Sequence, residues 1–222
     1  MSGRPFPAGF ELFLASRSPR RRELLASLGA PFRVVPSEAR ETLVGTQAGA
    51  VAEGNALAKA RAAVLPQRVG EGSFVLGVDT VVVVDGAILG KPADREEAGA
   101  MLARLAGRRH EVVSGVALAR GAENRRGAKG SIPDAGGPSP VHVVAHAVTA
   151  VRFSPLNERQ VEAYLASGEW EGKAGAYAIQ GLAALFVEGI EGEYANVVGL
   201  PLALLARLFR RLGFDLVTRT WL

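Results

Sequence analysis

Phe74–Leu89, reading FVLGVDTVVVVDGAIL, restricts the fold of this chain more than any other stretch. It carries the strongest β signal in the sequence, and Asp85-Gly86 is the favoured dipeptide of a tight hairpin turn. Strand alternation puts Asp79 on the same side as Val75, Gly77, Val81 and Val83, with Thr80 facing the other way. A carboxylate in such a run is costly unless it is paired, protonated or bound to a cation. A functional acid therefore competes at Asp79 with a structural, hydrogen-bonded one.

A second stretch, Leu12–Gly29 (LFLASRSPRRRELLASLG), reads as a short buried strand, a break, and a helix. Ser18 suits the N-cap, Pro19 the first helical position, and Gly29 the stop. Arg20, Arg21 and Arg22 then fall in the first turn, where the helix dipole is already positive. Each cation there costs about 0.3–1 kcal/mol, and a bound polyanion removes the conflict. Free amides, the hydroxyls of Ser16 and Ser18, and converging guanidiniums describe a phosphate site. The blander reading is a solvated charge run.

The remaining pattern alternates strands and helices without repeats. Phe32–Val35 reads as a strand, 37–46 as a polar loop with Glu38 and Glu41, and Gly49–Leu65 as an alanine-rich helix. A helix is expected over Asp94–Leu105, strands over His110–Arg120 and Val141–Phe153, and a helix from Ser154 and Pro155 to Gly168. Lys173–Gly181 (KAGAYAIQG) and Leu185–Ile190 read as strands, Gly192–Gly199 as a loop, and Pro201 opens a last helix. Gly121–Pro140, rich in glycine, proline and charge, reads as a flexible inserted loop. The fold class is α/β with a mixed, twisted sheet and flanking helices, and 222 residues suit one sizeable globular domain or two small ones.

Composition narrows the chemistry. With no cysteine, disulfides, thiolate metal sites and a cysteine nucleophile are excluded. A net charge of +4 leaves anionic partners open but is too small to demand nucleic acid. No run approaches membrane-spanning length and the N-terminus lacks a hydrophobic signal core, so a cytoplasmic protein without a membrane partner is expected. Helical His-Glu pairs, Gly-x-Ser-x-Gly elbows and Walker loops are missing, and the three histidines read as structural. Only four lysines accompany 22 arginines, so Lys59, Lys91 and Lys173 stand out as places for a compact ammonium. What remains is a constellation: Glu41 and Asp79 to hold a hard divalent ion, with Arg20, Lys59, Lys91 and Lys173 to hold phosphates. Each member also has an ordinary reading, as a loop acid, a snorkelling lysine or a turn cation.

Taken in order, LASRSPRRRELLASLG, GVDTVVVVDGAILGKP, KAGAYAIQG and YANVVGLPL resemble the Maf family of nucleoside triphosphate pyrophosphatases. The resemblance implies a single domain over residues 1–222 with a core of about 11–212, and a fold like that of the inosine triphosphate pyrophosphatases, with two lobes around a cleft. It also implies a divalent metal (magnesium or manganese), a cytoplasmic location and a homodimer. It implies hydrolysis of a nucleoside triphosphate to the monophosphate and pyrophosphate. Asp79 falls on the proton acceptor and Glu41 on a metal ligand shared with Asp79. Arg20, Thr80 and Gln180 fall on positions tied to substrate choice, and Ser16, Arg21, Lys59, Lys91 and Lys173 on polar positions lining the cleft. KAGAYAIQG looks like the branch acting on dTTP and UTP, and the Gln180 amide offers both donor and acceptor to a pyrimidine edge. Two positions depart from the family pattern: Gly172 precedes Lys173 where an acid is usual, and Arg40-Glu41 stands where an Asp-Glu pair is common. The same chemistry on 7-methyl-GTP or another modified nucleotide, and a non-catalytic module that binds nucleic acid or regulates division, stay open as alternatives.

Overall fold

The computed structural model describes residues 4–66, 69–70, 72–120 and 141–222. The first half runs β1 (Glu11–Ala15), α1 (Pro19–Ser27), β2 (Arg33–Val34), α2 (Ala48–Arg61), β3 (Ser73–Val84), β4 (Ala87–Leu89), α3 (Arg95–Leu105) and β5 (Arg109–Arg120). The second half runs β6 (Val141–Phe153), α4 (Glu158–Ser167), β7 (Val187–Glu191), α5 (Tyr194–Val198), α6 (Leu202–Arg211), β8 (Phe214–Asp215) and β9 (Thr220–Trp221). The main sheet has the order β2-β1-β3-β5-β6-β7, with β4 also on β3, and β8 and β9 form a separate hairpin. β2 and β3 pair parallel to β1, and the other neighbours are antiparallel, so the sheet is mixed.

The register of β3 creates the functional notch. β5 covers one edge of β3 from Phe74 to Val83. On the other edge, β1 pairs only from Ser73 to Gly77, and β4 begins only at Val82. Residues 78–81, including Asp79 and Thr80, therefore have no strand partner on that edge among the described residues.

Both faces of β3 are buried, as a run of apolar residues on both sides of Asp79 and Thr80 requires. On one face α2 lies unusually close. A Cβ on Gly77 would stand 2.0 Å from the Ala56 carbonyl oxygen, and one on Gly115 would stand 2.2 Å from that of Ala52. Gly115 is the register partner of Asp79, so the missing side chain lets the helix settle directly over the acid. On the opposite face, Leu204, Leu205, Leu208 and Phe209 of α6 pack on Leu12, Leu14, Leu76, Val78 and Leu118. Burying each such leucine contributes roughly 1.5–3 kcal/mol. Leu102 and Leu105 of α3 join Val84, Phe153, Tyr164 and Tyr177 in a further cluster.

Several expectations change. Lys173–Gly181 is not a strand: Ala174–Ala176 forms a 3-10 turn in which Gly175 and Ala176 have φ of 66° and 61°, values no strand contains. The strand expected at Leu185 starts at Val187, after a 3-10 turn over Leu182–Phe186. The expected loop at 192–199 contains α5, and the β8–β9 hairpin has no counterpart in the periodicity reading. The helix expected from Ser154 starts at Glu158, because Asn157 and Gln160 form a reciprocal capping box there. The inserted loop at 121–140 lies outside the described residues. Among the described residues no helix is long and apolar enough to cross a membrane.

Candidate active site

One cleft of about 570 Å³ opens at the β3 notch, a size suited to a small-molecule ligand. It is bounded by the turn after β1, the start of α1, the loop before α2, Lys59, Lys91, and the segment around Lys173. The loop entering α1 is built by its own side chains. Ser18 caps the helix by accepting from the Arg21 amide, and Ser16 Oγ accepts from the Ser18 amide at 3.3 Å.

Arg21, buried beneath this turn, holds three segments together. Its Nε donates to the Gly199 carbonyl at 2.8 Å, Nη1 to Ser16 Oγ at 3.0 Å, and Nη2 to Thr80 Oγ1 at 2.9 Å. Thr80 Oγ1 shares a further hydrogen bond with Ser114 Oγ at 2.9 Å. Burial lowers the Arg21 pKa to about 10, with the charge of Asp79 opposing, so the group stays cationic at neutral pH. Arg20 lines the cleft and has no hydrogen bond or ion pair to a described residue, whereas Arg22 is exposed and outside the lining. The picture of three converging guanidiniums is thus corrected. One arginine faces the cleft freely, one is committed to protein acceptors behind it, and one is solvated.

The acids sit on the α2 side. Asp79, 4% exposed, receives Lys59 Nζ on Oδ1 at 2.6 Å and Asn55 Nδ2 on Oδ2 at 2.8 Å. Lys59 Nζ also lies 2.6 Å from Glu41 Oε1 and 3.3 Å from the Val78 carbonyl oxygen. Lys91, leaving β4, reaches Glu41 at 2.7 Å. Burial alone would raise the Glu41 pKa, but the hydrogen bonds and charges of Lys59 and then Lys91 hold it down to about 2. Glu41 is therefore an anion throughout the physiological range.

The opposite wall is different in kind. Lys173 Nζ donates only to the Glu171 carbonyl, at 2.8 Å, and its pKa is lowered first by burial and then by the neighbouring charge of Arg20. Burial also lowers the Arg20 pKa. Glu23 acts on Arg20, and Glu169 and Glu171 on Lys173, from beyond ion-pair distance, so two cations with no ion pair among the described residues face one cleft, opposite an acid–ammonium cluster. The expected residues Ser16, Arg20, Arg21, Glu41, Lys59, Asp79, Thr80, Lys91 and Lys173 all line this cleft. Gln180 does not. It is exposed, in a turn at 179–181 closed by the Gly181 amide on the Ala178 carbonyl at 3.1 Å. None of the histidines lines the cleft: His110 hydrogen-bonds Tyr177 at 2.9 Å, and His146 pairs with Glu53.

Asn55 escaped the sequence reading, although its place one helical turn before Lys59 was available as a signal. On α2 residues four apart share a face, so whatever surface receives Lys59 also receives Asn55.

Fold and cleft together define an α/β protein whose broken sheet edge sets an acid cluster against unpaired cations, a receptor for a phosphate-bearing ligand. The chain belongs to the Maf family: the model of that family, described as Maf-like protein, matches residues 11–212. It is 46% identical to a dTTP/UTP pyrophosphatase of Symbiobacterium thermophilum over 94% of this chain and 97% of that protein. It is 44% identical to one of Pelotomaculum thermopropionicum over 93% and 99%, and 42% identical to one of Thermococcus gammatolerans over 94% and 100%.

Proposed function

We propose that the chain is a nucleoside triphosphate pyrophosphatase that hydrolyses dTTP and UTP to the monophosphate and pyrophosphate. The observation that carries this reading is the opposition, within one cleft, of Asp79 and Glu41 to Arg20 and Lys173, neither of which forms an ion pair among the described residues. The names of the relatives at 42–46% identity supply the substrates.

In this reading the Arg20 and Lys173 side chains hold the phosphate oxygens. Asp79 takes a proton from water as the water oxygen bonds to the α-phosphorus. The bond from that phosphorus to the α–β bridging oxygen breaks, and the electron pair leaves with pyrophosphate. Lys59 and Asn55, one on each oxygen, fix the plane of the Asp79 carboxylate. Arg21 holds Thr80, the next residue, to the turn that carries Ser16 and Ser18.

The donor set fits a hard divalent ion bound jointly with phosphate. Glu41 and Asp79 both direct oxygens at one point, now held by the Lys59 ammonium, and magnesium commonly uses one or two carboxylates with phosphate and water completing its shell. Among the described residues no group of three or more potential ligands forms a protein-only cage. Glu41 and Asp79 are the residues to hold magnesium or manganese, which would neutralise phosphate charge and polarise the phosphorus centre. A homodimer and a cytoplasmic location belong to the same reading.

The test is release of pyrophosphate from purified protein with magnesium or manganese, across the four ribonucleoside triphosphates, dTTP and 7-methyl-GTP. Preferential turnover of dTTP and UTP is expected. Preference for 7-methyl-GTP would overturn the substrate assignment, and tight RNA binding without pyrophosphate release would overturn the enzyme itself.

A further inference from the structure

Asn55 holds one oxygen of Asp79, but its two bonds to the backbone of Thr42 have no part in the phosphate chemistry described above. It is 2% exposed, and its amide is fully engaged. Nδ2 donates to Asp79 Oδ2 at 2.8 Å and to the Thr42 carbonyl at 2.9 Å, while Oδ1 accepts from the Thr42 amide at 2.9 Å. The two bonds to Thr42 take both backbone groups of one residue, as a neighbouring strand would. Thr42 directly follows Glu41, in a loop with no regular secondary structure of its own. We propose that Asn55 is a positioning residue that latches the Glu41 loop, through Thr42, onto Asp79, so that the two acids keep their places when Lys59 turns to a phosphate.

Three observations carry this beyond ordinary packing. First, Asn55 and Lys59 occupy one face of α2 a single turn apart and engage different oxygens of the same carboxylate. The orientation of Asp79 is therefore set by one rigid helix. Second, that helix is seated by backbone contact with Gly77 and Gly115, which leaves Asn55 little freedom to move away. Third, Glu41 itself is tied down only by the flexible ammoniums of Lys59 and Lys91, contacts that a phosphate oxygen competes for. The Thr42 bonds persist whichever partner those lysines choose. An amide is the only neutral side-chain group that donates twice and accepts in one plane, so no hydroxyl reproduces the bridge.

The inference rests on the pyrophosphatase reading for its consequence in turnover, but not for the latch itself. Asn55→Leu keeps approximate volume and removes all three bonds. Amide hydrogen exchange of Thr42 should accelerate at least about tenfold while exchange in β3 and β5 is unchanged. For dTTP and UTP, kcat should fall about 10- to 100-fold, as for lost partners that orient site residues, with KM within about threefold. Where Asn55→Leu does not accumulate as folded protein, Asn55→Ser is read by the same criteria. Unchanged Thr42 exchange overturns the latch, and a loss confined to KM, or none, overturns its role in positioning. If the wild-type protein releases no pyrophosphate, the proposed function fails, and Thr42 exchange still decides the latch.

Discussion

Lys59 and Asp79 form an ion pair at 2.6 Å in which the side chains are only 11% and 5% exposed. Neither charge has enough water to stand alone, so the pair behaves as a unit. Lys59→Met strands Asp79 with the Asn55 amide as its remaining partner. The expected cost is about 3–5 kcal/mol in chemical denaturation, together with loss of turnover. A loss below 1 kcal/mol would show that Asp79 is hydrated in solution.

Asp79→Asn acts in the opposite sense. It leaves Lys59 paired with Glu41, so the fold should survive, and nucleotide binding through Arg20 and Lys173 should persist. The proton acceptor is gone, so kcat should drop about 10²–10⁴-fold with little change in KM. Equal turnover by the variant would remove Asp79 from the chemistry.

Arg21→Lys tests the clamp behind the cleft. The guanidinium reaches Gly199, Ser16 and Thr80 in three directions, and a single ammonium on a longer flexible stem cannot reproduce that fork. Buried acceptors left without donors cost about 1–3 kcal/mol each. Thermal unfolding should register the loss even where no nucleotide is present.

The sequence made much of this legible, for identifiable reasons. β3 and the α1 start were readable because each depends on local pattern: an apolar run broken by one acid, and a cap followed by proline. Lys173–Gly181 was misread because small residues fit strands and turns alike, and only the positive φ of Gly175 and Ala176 distinguishes them. Gln180, singled out by the resemblance, lies outside the cleft lining. Arg20, Arg21 and Arg22 could not be told apart because helix rotation, fixed by tertiary packing, decides which of three neighbours is buried. The helix period sets Asn55 on the face of Lys59, but its contact with Asp79, 24 positions away, is a matter of tertiary packing.

Gly115→Ala examines the seating of α2 directly. Gly115 lies opposite Asp79, and its Cβ would meet the Ala52 backbone at 2.2 Å, where no side-chain rotation gives relief. The helix must lift, and with it Asn55 and Lys59. Overpacking of this kind costs about 1–3 kcal/mol, and turnover should fall with it. A stable variant with full activity would mean that α2 does not orient the acids.

His110 sets the acid limit of the fold. It is 2% exposed, edge-on to Phe153 and Tyr177, and hydrogen-bonded through Nε2 to the Tyr177 hydroxyl. Burial lowers its pKa to about 4, with the Arg108 backbone opposing only in part. The unfolded chain therefore binds a proton near pH 6.5 that the folded chain refuses until about 4. Stability is full above pH 6.5 and declines as pH falls toward 4, by up to about 3 kcal/mol at 1.36 kcal/mol per unit. Glu41 acts in a lower window: its contribution is present above about 4.5 and fades as pH falls toward about 2. Denaturant midpoints at pH 7.5, 6, 5 and 4.5 should therefore fall in the wild type before Glu41 titrates. His110→Asn, less stable at neutral pH, should lose most of that slope. A slope unchanged in the variant would assign the acid sensitivity to another group.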